Sequence, residues 1–198
     1  MERLLYLFSE TEIFIFVFME IITKVDTTQR VIRNQATRHD KIIFMVMFGG
    51  FSIFGTYIGI TLPSGAISNI RDLGPIVAGL VAGPLIGLGV GLIGGIHRFF
   101  LGGLTSIPCG LATILAGPIC GAIHNLRGNK PFSIFQGMLI AFLIECFHGG
   151  LILLIARPFA EALEVFKTVI PAMMIANSAG IAISIIIMGH HVEPKEGR

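Results

Sequence analysis

Charged residues are what this sequence has least of. They make up 13 % of its 198 residues, against roughly 25 % in an average soluble domain, while apolar residues make up 54 %. A chain of this composition has too little polar surface for a soluble enzyme domain. Its 14 basic and 12 acidic residues are scattered and leave a net charge of only +2, which argues against a nucleic-acid partner.

Cysteine pairs and catalytic motifs are missing as well. The three cysteines, Cys109, Cys120 and Cys146, stand in apolar stretches without a CxxC pair, so we expect buried free thiols. The sequence holds no Walker A, HExxH, GxSxG or kinase signature. We therefore expect no enzyme activity, no cofactor and no metal site.

Long apolar stretches dominate the sequence instead. A membrane-spanning helix needs about 20 residues, which predicts an all-α, polytopic membrane helical bundle of five to seven segments. These lie at about 4–23, 42–60, 74–97, 107–123, 132–156 and 169–188, with a short amphipathic stretch at 157–167. The first contains Glu10, Glu12 and Glu20, so it is either a span or an interfacial helix and is not typical of a cleavable signal peptide.

Basic residues predict which ends of the segments face the cytoplasm. The loop at 24–41 contains five of them, Lys24, Arg30, Arg33, Arg38 and Lys41. The positive-inside rule assigns this loop to the cytoplasm of a multi-pass protein in the cytoplasmic membrane. The expected division is a weak N-terminal segment and basic loop at 1–41, the main membrane domain at 42–190 and a polar tail at 191–198.

A glycine-rich stretch, Gly74 to His97, follows a loop around Pro63, Ser64 and Gly65 and leaves two architectures open. Its 24 residues are long enough to cross the membrane once, and a stripe of glycines every four residues continues in phase throughout. Gly83-Pro84, near the middle, can instead turn the chain back as two half-helices. The turn puts 9 basic residues inside and 5 outside, against 8 and 6 for a single crossing, so the positive-inside rule favours it.

Arg71 and Arg98 flank this stretch and are the best candidates for binding an anion. Arginine beside a membrane segment is costly and needs a partner or access to the headgroups. The predicted segment that begins near Cys109 would point its free amide groups toward the same side, which favours negative charge. The alternative is structural: Asp72 caps the following helix, Arg71 pairs with it, and Arg98 anchors at the headgroups.

Glu145 and His148 are secondary candidates on one face of the fifth segment. Their spacing occurs in di-metal helical bundles, but those sites need a second such pair and two further glutamates, which this sequence lacks. A buried hydrogen-bonded pair that reaches Asn177 is the preferred interpretation.

An ordered string of motifs resembles the five-transmembrane receptor domain of the LytS type, the membrane sensor of bacterial histidine kinases and related signalling proteins. The resemblance covers residues 42–190. The motifs are Asn69-Ile70-Arg71-Asp72-Leu73-Gly74-Pro75, Gly83-Pro84, Gly87, Gly91, Gly95, His97-Arg98, Gly102-Gly103, Pro108-Cys109, Ala116-Gly117, Glu145 with His148, Arg157-Pro158, Pro171, and Asn177 with Gly180.

The resemblance implies a receptor that binds a small extracellular carboxylate such as pyruvate and signals to a cytoplasmic output domain absent from this chain. It implicates Arg71, Arg98 and Cys109 in binding. A family serine three residues after the cysteine is matched by Ala112, with Thr113 beside it. The predicted ligand-binding set is Arg71, Arg98, Cys109, Asn69, Asp72 and Thr113.

Two other functions stay open. A similar glycine pattern occurs in the solute-binding membrane subunits of energy-coupling transporters, for which Gly55 and Gly59 would be a docking face. A structural membrane protein without a ligand is the third option. Besides the ligand, the expected partners are the lipid bilayer and, as an option, a second copy in a homodimer.

Overall fold

The computed structural model describes the backbone of residues 2–61 and 67–192 and the side chains of residues 10–59 and 68–191. The predicted loop around Pro63, Ser64 and Gly65 and the end of the polar tail, 193–198, lie outside the described residues. The helices are α1 (Glu2–Ile22), α2 (Asp26–Ile32), α3 (Arg38–Tyr57), α4 (Leu73–Ala82), α5 (Pro84–Phe100), α6 (Ser106–Leu126), α7 (Ile134–Ile155) and α8 (Phe159–Val192). The all-α membrane bundle predicted from the sequence is confirmed.

A short antiparallel pairing joins α3 to α4. Strand β1 (Ile60–Thr61) pairs with β2 (Ile67–Ser68), with Ile60 opposite Ser68 and Thr61 opposite Ile67. Among the described residues, three helices, α6, α7 and α8, are long and apolar enough to cross a membrane, and α4 and α5 are shorter apolar helices. Large apolar side chains such as Leu85 and Phe100 are 79 % and 85 % exposed, which suits contact with lipid rather than with water.

Two predicted boundaries are wrong. The stretch at 24–41 is not a plain loop, since it contains α2 and the start of α3. Arg30 in α2 holds the two helices together through a two-pronged ion pair with Asp40, at 3.0 and 2.6 Å. The amphipathic stretch at 157–167 is not separate from the last segment. From Phe159 onward it forms one helix, α8, with the last segment. This helix continues through Pro171, and one buried stripe of Ala162, Val165, Val169 and Met173 runs along it at helical spacing.

The glycine-rich stretch does not cross once. Gly83, with φ of +86°, separates α4 from α5. Beyond it, α5 runs antiparallel to α6: a Cβ added to Gly87 would lie 2.5 Å from the Gly117 carbonyl oxygen, and one added to Gly95 would lie 2.6 Å from that of Gly110. The end of α5 therefore lies at the start of α6.

The preceding half-helix, α4, runs in the same direction as α6. Asp72, just before it, contacts Thr113, and a Cβ on Gly79 would lie 2.9 Å from the Gly121 nitrogen, about two turns further along both helices. The two halves thus enter and return along α6, as a re-entrant hairpin. The turned-back architecture is confirmed, and the single crossing is wrong.

Glycine also explains how closely the hairpin packs. We call the contact of Gly79, Gly87, Gly91 and Gly95 with Gly110, Gly117 and Gly121 of α6 the glycine seam. In this seam the backbones touch where a side chain would overlap. Gly55 is likewise used inside the chain, since its Cβ would lie 3.2 Å from the Ile70 carbonyl carbon. Gly55 therefore packs against the chain itself, and the prediction that it forms part of a docking face is wrong.

Candidate ligand-binding site

The reversal at Gly83 brings the two flanking arginines to the same end of α6. Arg71 precedes α4 and Arg98 lies in the last turn of α5. Their side chains are 0 % and 1 % exposed, and they are the largest fully buried side chains among the described residues. Burial this complete requires polar partners for the guanidinium groups.

Arg71 is only partly satisfied. Its backbone nitrogen donates to Asn69 Oδ1 at 3.0 Å, its carbonyl accepts from Ser52 Oγ at 2.9 Å, and its Nε donates to Thr113 Oγ1 at 2.7 Å. Nη1 and Nη2 are buried without a hydrogen-bond partner among the described residues. Four N–H donors are therefore available to an acceptor. Burying these donors without hydrogen bonds costs free energy of folding.

The Thr113 hydroxyl joins Arg71 to Asp72. It accepts from Arg71 Nε and lies within hydrogen-bond distance of Asp72 Oδ1 and of the Cys109 carbonyl, one of which takes its single proton. Asp72 Oδ1 also lies 3.6 Å from Arg71 Nε. Asp72 stands at the N-cap of α4, but its side chain makes no capping hydrogen bond, so the expected cap is absent.

Arg98 is held by the turn that follows α5. Its Nη1 donates to the Gly102 carbonyl at 2.7 Å and its Nη2 to Thr105 Oγ1 at 3.1 Å. Gly102 has φ of +67°, a backbone conformation suited to glycine. A buried guanidinium with these partners does not anchor at the headgroups, so that alternative is wrong. Thr105 was not predicted, although its place directly before α6 could have suggested it.

Cys109, in the first turn of α6, lies among Arg98, Thr105 and His148. Its side chain is 7 % exposed, as expected for a buried free thiol. The thiol therefore borders both the arginine pair and the acidic half of the site.

The acidic half extends from Asp72 to α8. His148 Nδ1 lies 2.8 Å from Asp72 Oδ2 and 3.4 Å from Glu145 Oε2. Asn177 Nδ2 in α8 donates to Glu145 Oε1 at 2.8 Å. Glu145 and His148 thus lie together as a buried pair, and Asn177 is hydrogen-bonded to Glu145.

These contacts form one chain of buried polar groups across four elements. We call it the polar network: Arg71, Thr113, Asp72, His148, Glu145 and Asn177, each at most 1 % exposed. It contains six of the nine residues singled out from the sequence. Arg98 and Cys109 lie beside it, and Asn69 fixes the Arg71 backbone. Ser52 was missed, because a lone serine in an apolar helix gives no signal.

Three members of the network have the donor atoms that a metal ion requires. Asp72, Glu145 and His148 place one ligand atom each within 4.8 Å of one another. The guanidinium of Arg71 already lies against the Asp72 carboxylate, so a second cation there would meet a like charge. The arrangement is better suited to holding an imidazole between two carboxyl groups than to holding a metal.

Comparison with known proteins identifies the family. The family described as 5TMR of 5TMR-LYT matches residues 25–191. The chain belongs to this family. No solved structure matches it.

Several sensor kinases contain a similar region. The chain is 33 % identical to the sensor histidine kinase BtsS of Escherichia coli (strain K12) over 75 % of its own length and 27 % of that kinase. It is 30 % identical to the sensor protein LytS of Bacillus subtilis (strain 168), over 85 % of the chain and 31 % of LytS. It is 32 % identical to the sensor histidine kinase YpdA of Escherichia coli (strain K12), over 72 % of the chain and 25 % of YpdA.

The chain therefore spans about 25 to 31 % of the length of these relatives. The matched part is the membrane sensor region of two-component histidine kinases, and this chain is a multi-pass membrane protein with a sensor role.

Proposed function

We propose that this sensor binds a small carboxylate between Arg71 and Arg98, on the outer side of the cytoplasmic membrane, and signals to a cytoplasmic output domain. The observation that carries the proposal is the pair of buried Arg71 nitrogens, Nη1 and Nη2, without partners among the described residues. A carboxylate offers two oxygens in the geometry that a guanidinium fork matches.

The surroundings of Arg71 add to its preference for an anion. Arg98 contributes a second buried positive charge. Helices α4 and α6 begin at Leu73 and Ser106, and free amide groups at a helix N-terminus favour negative charge. Cys109 and Thr113, which lie beside these arginines, would border the ligand.

The polar network supplies a route for the signal. A carboxylate on Arg71 would compete with Asp72 for the guanidinium and change the charge that faces His148. His148 is linked through Glu145 to Asn177 in α8, and α8 leads back to the end that carries the basic loops. A shift of α8 relative to α7 is therefore the expected output.

The relatives support a receptor rather than a transporter subunit. Those compared above carry the names of sensor kinases or sensor proteins. The internal packing of Gly55 removes one half of the docking face that a transport partner would need. No observation favours the transporter alternative.

A ligand panel tests the proposal. The purified chain is heated in detergent with small organic acids, pyruvate among them, and with the uncharged amide of each acid. We expect at least one acid to raise the melting temperature while its amide does not, because binding to the native state stabilises it.

Equal shifts from an acid and its amide would contradict recognition by the arginines. A folded protein with no shift across the whole panel would contradict the anion site.

A further inference from the structure

A separate cavity of about 550 Å³ opens at the opposite end of the re-entrant hairpin. We call it the inner cavity. It lies between α4, α6 and α8 and is bordered by the turns that follow α2 and α6. The lining residues used below are Val81, His124, Lys130, Phe132 and Ser184.

The inner cavity is deep and mostly apolar. Its wall on α8 runs from Ile181 to Gly189, which at 1.5 Å per residue is about 12 Å. One leaflet of the hydrocarbon core is roughly 15 Å thick, half of the full core. The cavity therefore reaches most of the way through one leaflet from the end that carries the basic loops.

The polar groups inside the cavity are few. Ser184 already donates its hydroxyl to the Gly180 carbonyl at 2.7 Å. His124 is 8 % exposed, and its Nδ1 has no hydrogen-bond partner among the described residues. One unpartnered imidazole nitrogen is too little to hold a polar solute, so the interior suits an apolar chain.

The mouth of the cavity, by contrast, is basic. Lys130 is on its rim. Arg33, between the lining residues Ile32 and Asn34, donates to the His191 carbonyl at 3.4 Å. The Arg127 guanidinium lies 4.7 Å from the ring centre of Phe132, a wall residue. None of the described residues that line the cavity is acidic.

We propose that the inner cavity holds an acyl chain of an anionic phospholipid from the cytoplasmic leaflet, with the lipid phosphate at Lys130 and Arg33. Basic pockets between membrane helices on the cytoplasmic side bind such headgroups. The lipid would fill the space between the tip of the hairpin and α8. This proposal does not depend on the carboxylate site.

Lipid binding to the delipidated full chain in neutral detergent tests the proposal. Native mass spectrometry and melting temperature are followed during titration with phosphatidylglycerol, phosphatidylcholine of the same acyl chains, or glycerol phosphate. We expect phosphatidylglycerol to bind as one molecule and to stabilise the protein most, and glycerol phosphate, which has no acyl chain, to have no effect.

Charge variants locate the site. The double variant Lys130→Gln with Arg33→Gln should weaken phosphatidylglycerol binding on the order of 30-fold, at about fivefold for each charge. The control Arg38→Gln with Lys41→Gln removes two exposed charges from the same end and should leave binding within about twofold. Val81→Phe, which narrows the cavity, should weaken binding of both lipids.

Three outcomes would overturn the proposal. Equal binding of the two lipids would remove the role of the basic mouth. Equal loss in the two double variants would show general attraction to the surface. Stabilisation by glycerol phosphate as strong as that by the lipid would identify a site for a soluble phosphate instead.

Discussion

The glycine seam and the polar network lie side by side along α6, and they use burial in opposite ways. In the seam, backbone meets backbone at most contacts, with side chains such as that of Ile114 beside Gly95 at the others. The network fills the same depth with charged and polar groups, and five of its six members, all but Thr113, have buried atoms without hydrogen-bond partners among the described residues. The packing of the seam is complete without a ligand, whereas the network has polar atoms that a ligand could bind.

Substitution in the seam should have the largest effect on folding. A Cβ on Gly117 would overlap the Gly87 backbone, so Gly117→Ala should lower the free energy of unfolding by about 1–3 kcal/mol or more. The measurement is thermal denaturation in detergent.

The matched control is Gly150→Ala on α7, where an added Cβ meets nothing within 4 Å. It should be neutral or slightly stabilising, since alanine is the better helix former. Equal destabilisation by both changes would contradict the close packing of the hairpin on α6.

Removal of one partner from the network should have the next largest effect. Asn177→Leu leaves Glu145 Oε1 without its donor at 2.8 Å, and an unsatisfied buried group costs about 1–3 kcal/mol. Thermal denaturation should show this loss of stability. In the same variant, ligand binding at Arg71 should move α8 less than in wild type, as measured by the distance between spin labels on α7 and α8.

Ser178→Ala is the neighbouring control on the same helix. Its hydroxyl makes an exposed hydrogen bond of 3.3 Å to the Met138 carbonyl, so stability should change by less than about 0.5 kcal/mol. If the two variants behave alike, Asn177 is not a link between the site and α8.

A change at Thr113 should have its clearest effect on ligand binding. Thr113→Val keeps the shape and removes the acceptor for Arg71 Nε at 2.7 Å, so Arg71 loses its orientation. Affinity for the carboxylate should fall about tenfold, the effect of roughly 1.4 kcal/mol. Thr113→Ser keeps the hydroxyl and should bind within about threefold of wild type; a weak Ser variant beside a strong Val variant would contradict the orienting role.

The all-α membrane bundle could be predicted from the sequence because membrane helices are visible as long apolar stretches. The reversal at Gly83 could be suggested but not decided. The unbroken glycine stripe argued for one straight helix, yet Gly79 and Gly87 each face Gly117 from opposite arms of the hairpin. Because α4 and α5 pack against the same residue of α6, the four-residue glycine spacing continues across the turn although the chain reverses there.

The site was predictable as a set of residue types and not as a set of contacts. Arg71 and Arg98 were identified because buried charge is rare in membrane segments. Which atoms they leave free depends on Thr113 and on the Thr105 turn, and these contacts arise only when α4, α5 and α6 pack together. The ligand-binding roles of the predicted residues remain predictions.

The most direct test of the carboxylate site is the equilibrium affinity of the best acid for wild type, Arg71→Gln and Arg157→Gln. Arg157 is the control, because among the described residues its Nη1 donates to nearby carbonyls, those of Leu153 and Ala156, at 3.3 and 2.8 Å. Our account predicts that Arg71→Gln loses at least about tenfold in affinity, as for a charge-assisted pair, while Arg157→Gln binds like wild type. Unchanged affinity in a folded Arg71→Gln variant would contradict the account.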